Sequence, residues 1–182
     1  MTEEDLLYIL RAIRFAARKH QFQTRKDAEA TPYIAHPLMV AYQLVSIGKV
    51  RDVEIIISAI LHDTLEDTET TLEELIQLFS VRIASIVSDV TDDKSLAKQE
   101  RKQLQILKAP LKSAGAAQIS LADKLCNLTD LIHSPPPDWD NERIDAYFNW
   151  ASQVVDRLPW VNAPLKKAVD IVLNTNLKPL YK

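Results

Sequence analysis

The residues of this chain best equipped for chemistry crowd into the segment His62-Asp63-Thr64-Leu65-Glu66-Asp67. On a continuous helix, about 100° per residue gathers His62, Asp63, Glu66 and Asp67 into an arc of roughly 140°. Acids clustered so closely repel one another unless a cation, a shared proton or full solvation relieves them. A divalent metal would meet that need, but Asp63 alone would not hold it, so other ligands must come from distant positions. His36 is one candidate, because Pro37 follows it and pushes it out of helical geometry at the mouth of a helix. Asp123 is another, on a helix whose other residues are mainly apolar, with Asn127 one turn on and on the same face. His36, His62, Asp63 and Asp123 would offer two imidazoles and two carboxylates, a mixed set that suits manganese or iron as well as zinc. Open positions on the metal would admit water and substrate.

Charge is unevenly distributed along the chain. Residues 11–26 carry Arg11, Arg14, Arg18, Lys19, Arg25 and Lys26 with no acid, whereas residues 62–74 carry six acids with no Lys or Arg. Such polarity is ordinary on a solvated surface, but together the two segments would suit a polyanion and a cation. Taken singly, each residue has a plainer reading: His36 as a loop residue, Asp123 as a solvated acid, Arg25 and Lys26 as a solvated loop pair, Asn127 as a solvated helical amide. Only the combination points to a site.

The elements that must position these residues read as helices. Leu6, Leu7, Leu10, Ile13 and Ala17 form a stripe over residues 4–20, and residues 38–47 form a second helix ended by Gly48. VEIIISAILHD is apolar almost all round, as expected of a central helix, and Ser58 and Ala59 interrupt any strand alternation. TLEELIQLF, VRIASIVSDVT and KQERKQLQILKA supply further helices. AAQISLADKLCNLTDLIH turns Ile119, Ala122, Leu125, Cys126, Leu128 and Ile132 inward, SPPPDWD is a stiff connector, and residues 141–158 and 163–174 are the last helices. The expectation is an all-α, compact multi-helix bundle forming a single domain over residues 1–182. Trp139, Trp150 and Trp160 read as core or interface residues rather than a stacking platform.

Composition narrows the class. The chain is 47% hydrophobic and 26% charged, which excludes the signature of disorder. Cys126 is the only cysteine, so neither a disulfide framework nor a thiolate zinc cage is available, and a reducing compartment, the cytoplasm, is expected. The N-terminus carries acids where a signal peptide needs a basic start, and no apolar run approaches the roughly 20 residues that span a bilayer. A net charge of -3 gives no global attraction to nucleic acid or anionic membranes, so neither is expected as a partner. The oligomeric state is not legible.

A separated His, a His-Asp pair ending an apolar helix and a later Asp on another helix resemble the layout of the HD superfamily. More narrowly, the chain resembles the RelA/SpoT-type alarmone hydrolase domain, especially its small stand-alone members. RKDAEATPYIAHP, AILHDTLEDT, VTDDK, LADKLCNL and RIDAYFNW carry the likeness, in order, over most of the chain. HDTLEDT is the most discriminating, because generic HD enzymes share His-Asp but seldom the following Glu-Asp. The resemblance implies hydrolysis of the 3′-pyrophosphate of guanosine tetra- or pentaphosphate, yielding GDP or GTP and pyrophosphate, usually with manganese. It assigns metal binding to His36, His62, Asp63 and Asp123, and assistance of the attacking water to Glu66 and Asp67, their division of labour left open. Arg25, Lys26, Asn127, Arg143 and Tyr147 match nucleotide-binding positions. Two departures bear on affinity and base preference: Ala30 stands where relatives frequently carry Gly, and Thr129 replaces a basic residue common beside the matching Asn. Larger relatives continue into synthetase and regulatory regions for which this chain has no room, so a purely degradative enzyme is expected. Two other readings use the same residues: a broader nucleotide phosphohydrolase acting, for example, on NADPH, and a non-catalytic nucleotide-binding HD sensor, which usually lacks a ligand or the Glu-Asp pair.

Overall fold

The computed structural model describes residues 1–175, so the last residues of the expected 1–182 domain, 176–182, lie outside the described residues. The chain runs as α1 (Glu3–Lys19), α2 (Ala35–Ser46), α3 (Val53–Leu61), α4 (Thr64–Asp67), α5 (Leu72–Leu78), α6 (Val81–Val90), α7 (Lys98–Lys108), α8 (Ala114–His133), α9 (Asn141–Val155) and α10 (Ala163–Thr175). A short 3₁₀ turn, Ala109–Leu111, follows α7. The fold is all-α, as expected; the isolated bridge between Thr24 and Pro32 is the one β pairing among the described residues.

Two helices form the axis of the bundle. In α3 every residue from Ile55 to Leu61 is buried, and the helix packs against α1, α2, α6 and α8. Its start is fixed by Asp52, whose Oδ1 accepts the Glu54 amide at 3.0 Å, while Arg82 of α6 bridges Asp52 and Glu54 at 2.6 Å each. The longer α8 packs against α2, α3, α6, α9 and α10. Small residues at its start let α6 approach: a Cβ on Gly115 would lie 3.0 Å from Ile86 Cδ1. Ile119, Ala122, Leu125, Cys126 and Leu128 are buried, as their spacing predicts.

Local geometry departs from expectation in three places. His36 is not pushed out of helical geometry but lies inside the first turn of α2. First-turn amides have no intrahelical acceptor, so Pro37 costs no hydrogen bond there. The apolar helix does not run on through Asp67. His62 Nδ1 donates to Ala59 O at 2.8 Å and Thr64 Oγ1 to Leu61 O at 2.7 Å, so side chains take the carbonyls that a continuing helix would use. A new single turn, α4, then begins at Thr64. Gly48 does end the second helix, but the left-handed residue there is Lys49, with φ 54°.

What makes Gly48 necessary is space. A Cβ there would sit 2.7 Å from Leu44 O and 2.8 Å from Leu165 Cδ1. Gly48→Ala should therefore destabilise the protein by about 1–3 kcal/mol, read as a lower urea midpoint. The loop over residues 24–32 shows the converse. It closes through Arg25 N–H to Thr31 O at 2.8 Å and Thr31 N–H to Asp27 Oδ1 at 2.9 Å, which places Ala30 at φ 51°. Left-handed backbone strains an alanine, so Ala30→Gly should raise stability by roughly 0.5–1 kcal/mol in the same titration.

Candidate functional site

The end of α3, the first turn of α2 and the middle of α8 meet at four side chains. A carbonyl only accepts, so the His62 bond to Ala59 O places a proton on Nδ1, and in the neutral ring Nε2 carries the lone pair. That Nε2 is buried without a hydrogen-bond partner, 3.2 Å from Asp63 Oδ1 and 3.9 Å from Asp123 Oδ1. His36 Nε2 lies 3.1 Å from Asp123 Oδ1 and 3.8 Å from Asp63 Oδ2. Ligand atoms of His36, His62 and Asp123 all fall within 4.8 Å of one another. An orphaned imidazole nitrogen facing two carboxylates fits a divalent cation, and the nitrogen and oxygen donors admit manganese, iron or zinc.

Two residues that the sequence pattern did not single out hold these ligands in place. Lys124 is buried, with Nζ 2.9 Å from Asp123 Oδ2 and 4.8 Å from the centre of the Trp150 ring. Asp123 Oδ1 accepts Asn127 Nδ2 at 2.6 Å and faces the histidines. Burial opposes ionisation of Asp123, but the Lys124 ammonium and the hydrogen bond to His36 outweigh it and hold the carboxyl well below the usual range. The available signal was register: Lys124 falls on the buried stripe of Ala117, Leu121 and Leu128. Tyr33 is the second. Its hydroxyl lies 2.8 Å from Asp63 Oδ2 and 3.2 Å from Asp67 Oδ2, and burial together with those two charges keeps it protonated. Tyr33 precedes α2 in a loop, where no periodicity could single it out.

Glu66 and Asp67 diverge from α4. Glu66 Oε2 accepts the Asp92 amide at 3.0 Å, and Oε1 is 3.6 Å from Arg101. Burial pushes its carboxyl up to about 7, helped by the charges of Asp92, Asp67 and Asp63 and opposed by the Asp92 amide. Asp67 turns toward Tyr33 and is ion-paired with Lys94. Its backbone oxygen accepts Gln23 Nε2 at 2.6 Å. His36, His62, Asp63, Glu66, Asp67 and Asp123 nevertheless line one cavity of about 200 Å³. The six are assembled without the single helical arc expected for four of them.

A larger cavity of about 790 Å³ adjoins this chamber, sharing Arg25, Tyr33, His36, Asp67 and Asn127 with it. Lys26 and Tyr147 also line it. Arg25 Nη2 donates to Asn127 Oδ1 at 3.0 Å and to Asp130 Oδ2 at 2.8 Å, so a hydrogen-bonded chain runs from Arg25 through Asn127 to Asp123. Arg143 lines neither cavity; its guanidinium covers Trp139 at 4.3 Å and lies 3.6 Å from Asp138. Trp150 is a core residue, as expected, and Trp160 is exposed, whereas Trp139 lines the larger cavity, contrary to its expectation. Burial, together with the charges of Arg143, Lys26 and Arg101, lowers the pKa of Lys98, so these cations lie near one another in a basic cluster that was not expected from the sequence. Lys98, Arg101 and Lys102, three and four residues apart on α7, were its signal. Of the basic run 11–26, Arg25 and Lys26 reach the cleft, whereas Lys19 pairs with Glu69 and Glu74. No helix among the described residues is long and apolar enough to cross a membrane.

Known proteins share the sequence and backbone of this chain. An HD domain family model matches residues 12–147. The human guanosine-3′,5′-bis(diphosphate) 3′-pyrophosphohydrolase MESH1 is 48% identical over 161 residues, spanning 88% of this chain and 90% of that protein. MESH1 of Danio rerio is 50% identical over 159 residues, spanning 87% and 88%. A solved structure, described as a metazoan orthologue of SpoT that hydrolyses ppGpp, superposes with a TM-score of 0.90 at 42% identity, covering 92% of this chain and 94% of that one. Likeness this extensive in sequence and in backbone leaves one family: the chain belongs to the HD-domain proteins, in their MESH1 group.

Proposed function

We propose that this protein is a guanosine-3′,5′-bis(diphosphate) 3′-pyrophosphohydrolase that uses manganese, acts in the cytoplasm and releases pyrophosphate with GDP or GTP. The observation that carries this reading is the joining of two cavities, a chamber lined by imidazoles and carboxylates and a larger cleft lined by Arg25 and Lys26, through Arg25, Tyr33 and Asn127. The activity for which the MESH1 relatives are named agrees with that architecture.

His36, His62, Asp63 and Asp123 would hold the metal, with Lys124 and Tyr33 fixing the carboxylates that face it. A bound divalent metal polarises a phosphoryl oxygen and acidifies water. The cleft, at about 790 Å³, is of the size that takes a small ligand. Arg25 and Lys26 meet its phosphates, Tyr147 supplies an aromatic wall, and Asn127 sets Arg25 against the chamber. Asp67, anionic beside Lys94, orients the attacking water. Glu66, with a carboxyl near 7, takes the proton from that water and gives one to the departing 3′ oxygen. Water adds to the phosphorus, the bond to the 3′ oxygen breaks, and pyrophosphate leaves.

Purified protein incubated with manganese and guanosine tetraphosphate should release pyrophosphate; silence across several divalent metals refutes the reading. A nucleotide panel including NADPH, run in competition, should rank guanosine tetraphosphate first, and a much better substrate elsewhere overturns the specificity. Asp63→Ala should abolish metal binding and turnover together, whereas Glu66→Gln should keep the metal and lose about 10²–10⁴ in rate; equal metal loss in both contradicts that division of roles.

Glu66 also links stability to pH. Its folded pKa of about 7 lies above the ordinary value of 4.5, so between these values the folded chain binds the extra proton. Its contribution to stability is therefore present at low pH and lost as pH rises through 7. In metal-free protein, Glu66→Gln should melt higher than the parent at pH 8 and match it near pH 5; the same difference at both values would show that burial does not set this carboxyl.

A further inference from the structure

Half of the basic run over residues 11–26, a half that lies entirely on α1, is left over once the cleft and the ion pairs of Lys19 are accounted for. Arg11, Arg14 and Arg18 recur at spacings of three and four, which gathers them within about 60° of one face of α1. All three are exposed. The ion pairs of this region are made by their neighbour Lys19, and among the described residues none of the three arginines has an acidic partner.

They are not simply spread over a convex surface. With Lys19, Phe15, Leu78 and Phe79 they line a concave cavity of about 490 Å³, within the range of small-molecule sites. This cavity shares no lining residue with the chamber or the cleft. Phe15 and Phe79 meet edge to face at 5.5 Å in its wall. Its acids, Glu69 and Glu74, share the single ammonium of Lys19 at 3.1 and 2.9 Å, which leaves one negative charge against three guanidinium groups. The guanidinium groups, whose planar forks suit bidentate binding of phosphate, stand beside an aromatic surface that suits a base.

We propose that this cavity is a second ligand site, separate from the catalytic cleft, for a soluble nucleoside polyphosphate whose phosphates meet Arg11, Arg14 and Arg18 and whose base lies against Phe15 and Phe79.

The test uses the full chain with GTP as probe, followed by calorimetric titration at physiological salt. Arg14→Gln/Arg18→Gln keeps helix-forming residues at exposed positions and should leave basal hydrolysis unchanged. It should lose one equivalent of GTP, or weaken it about tenfold or more, while Arg25→Ala in the cleft leaves that equivalent intact. The readout does not need turnover, so an inactive protein would refute the hydrolase reading without touching this one. GTP binding indifferent to Arg14→Gln/Arg18→Gln overturns the proposal. So does tighter binding to vesicles containing phosphatidylserine than to GTP, lost in the same variant, because the face would then serve a membrane surface.

Discussion

His62 gives one proton to the carbonyl of Ala59, and much of the site follows from that bond. The bond sets which ring nitrogen is bare, so Nε2 faces the carboxylates. It also removes an acceptor from the end of α3, and with Thr64 taking the Leu61 carbonyl the helix stops. Asp63 therefore sits in a turn rather than on a helical ridge, close to both imidazoles. α4 restarts from there with Glu66 and Asp67 pointing to different neighbours. An uninterrupted helix would have kept those side chains on one arc and denied them separate environments.

Separate environments matter because the site needs acids in different protonation states. Asp123 and Glu66 both lose hydration, yet they end on opposite sides of the ordinary range. Asp123 has a buried ammonium on one oxygen and stays ionised, as a metal ligand must. Glu66 has an amide and a more distant guanidinium among several acids, and its carboxyl rises to about 7. The divergence of two carboxyls through their surroundings is a general way to obtain acid and base from one residue type. The cost of burying Lys124 is met by its contact with Asp123 and by the Trp150 face, so a cation can occupy the inward stripe of an apolar helix.

The cleft depends on the chamber through the same side chains. Arg25 reaches Asp123 by way of Asn127, so the guanidinium that lines the cleft is held by the amide that also holds Asp123. Asp130 shares the Arg25 guanidinium, and a ligand entering the cleft meets an arginine already oriented by two acceptors. Lys98, Lys102 and Arg143 come near one another from α7 and α9, where burial and mutual repulsion lower the pKa of both lysines.

Much of this was legible in the order of residues. Helical periodicity is a local property, so α1, α3 and α8 could be read from spacing, and His62, Asp63, Glu66 and Asp67 stood out by proximity in the chain. His36 and Asp123 could be named as candidate ligands, and Arg25, Lys26 and Asn127 as candidate nucleotide contacts, because their motifs stand in a recognisable sequence of fragments; the structure places the first two beside His62 and the other three in the cleft. The break at His62 was not legible, since a side chain competing for a carbonyl leaves no trace in hydrophobic pattern. Nor were Lys124 and Tyr33 as supports of the ligands, Trp139 as a wall of the cleft, or the separation of Arg11, Arg14 and Arg18 from Arg25. Those depend on which helix faces which across the bundle, and packing of distant segments, rather than spacing along one of them, decides it.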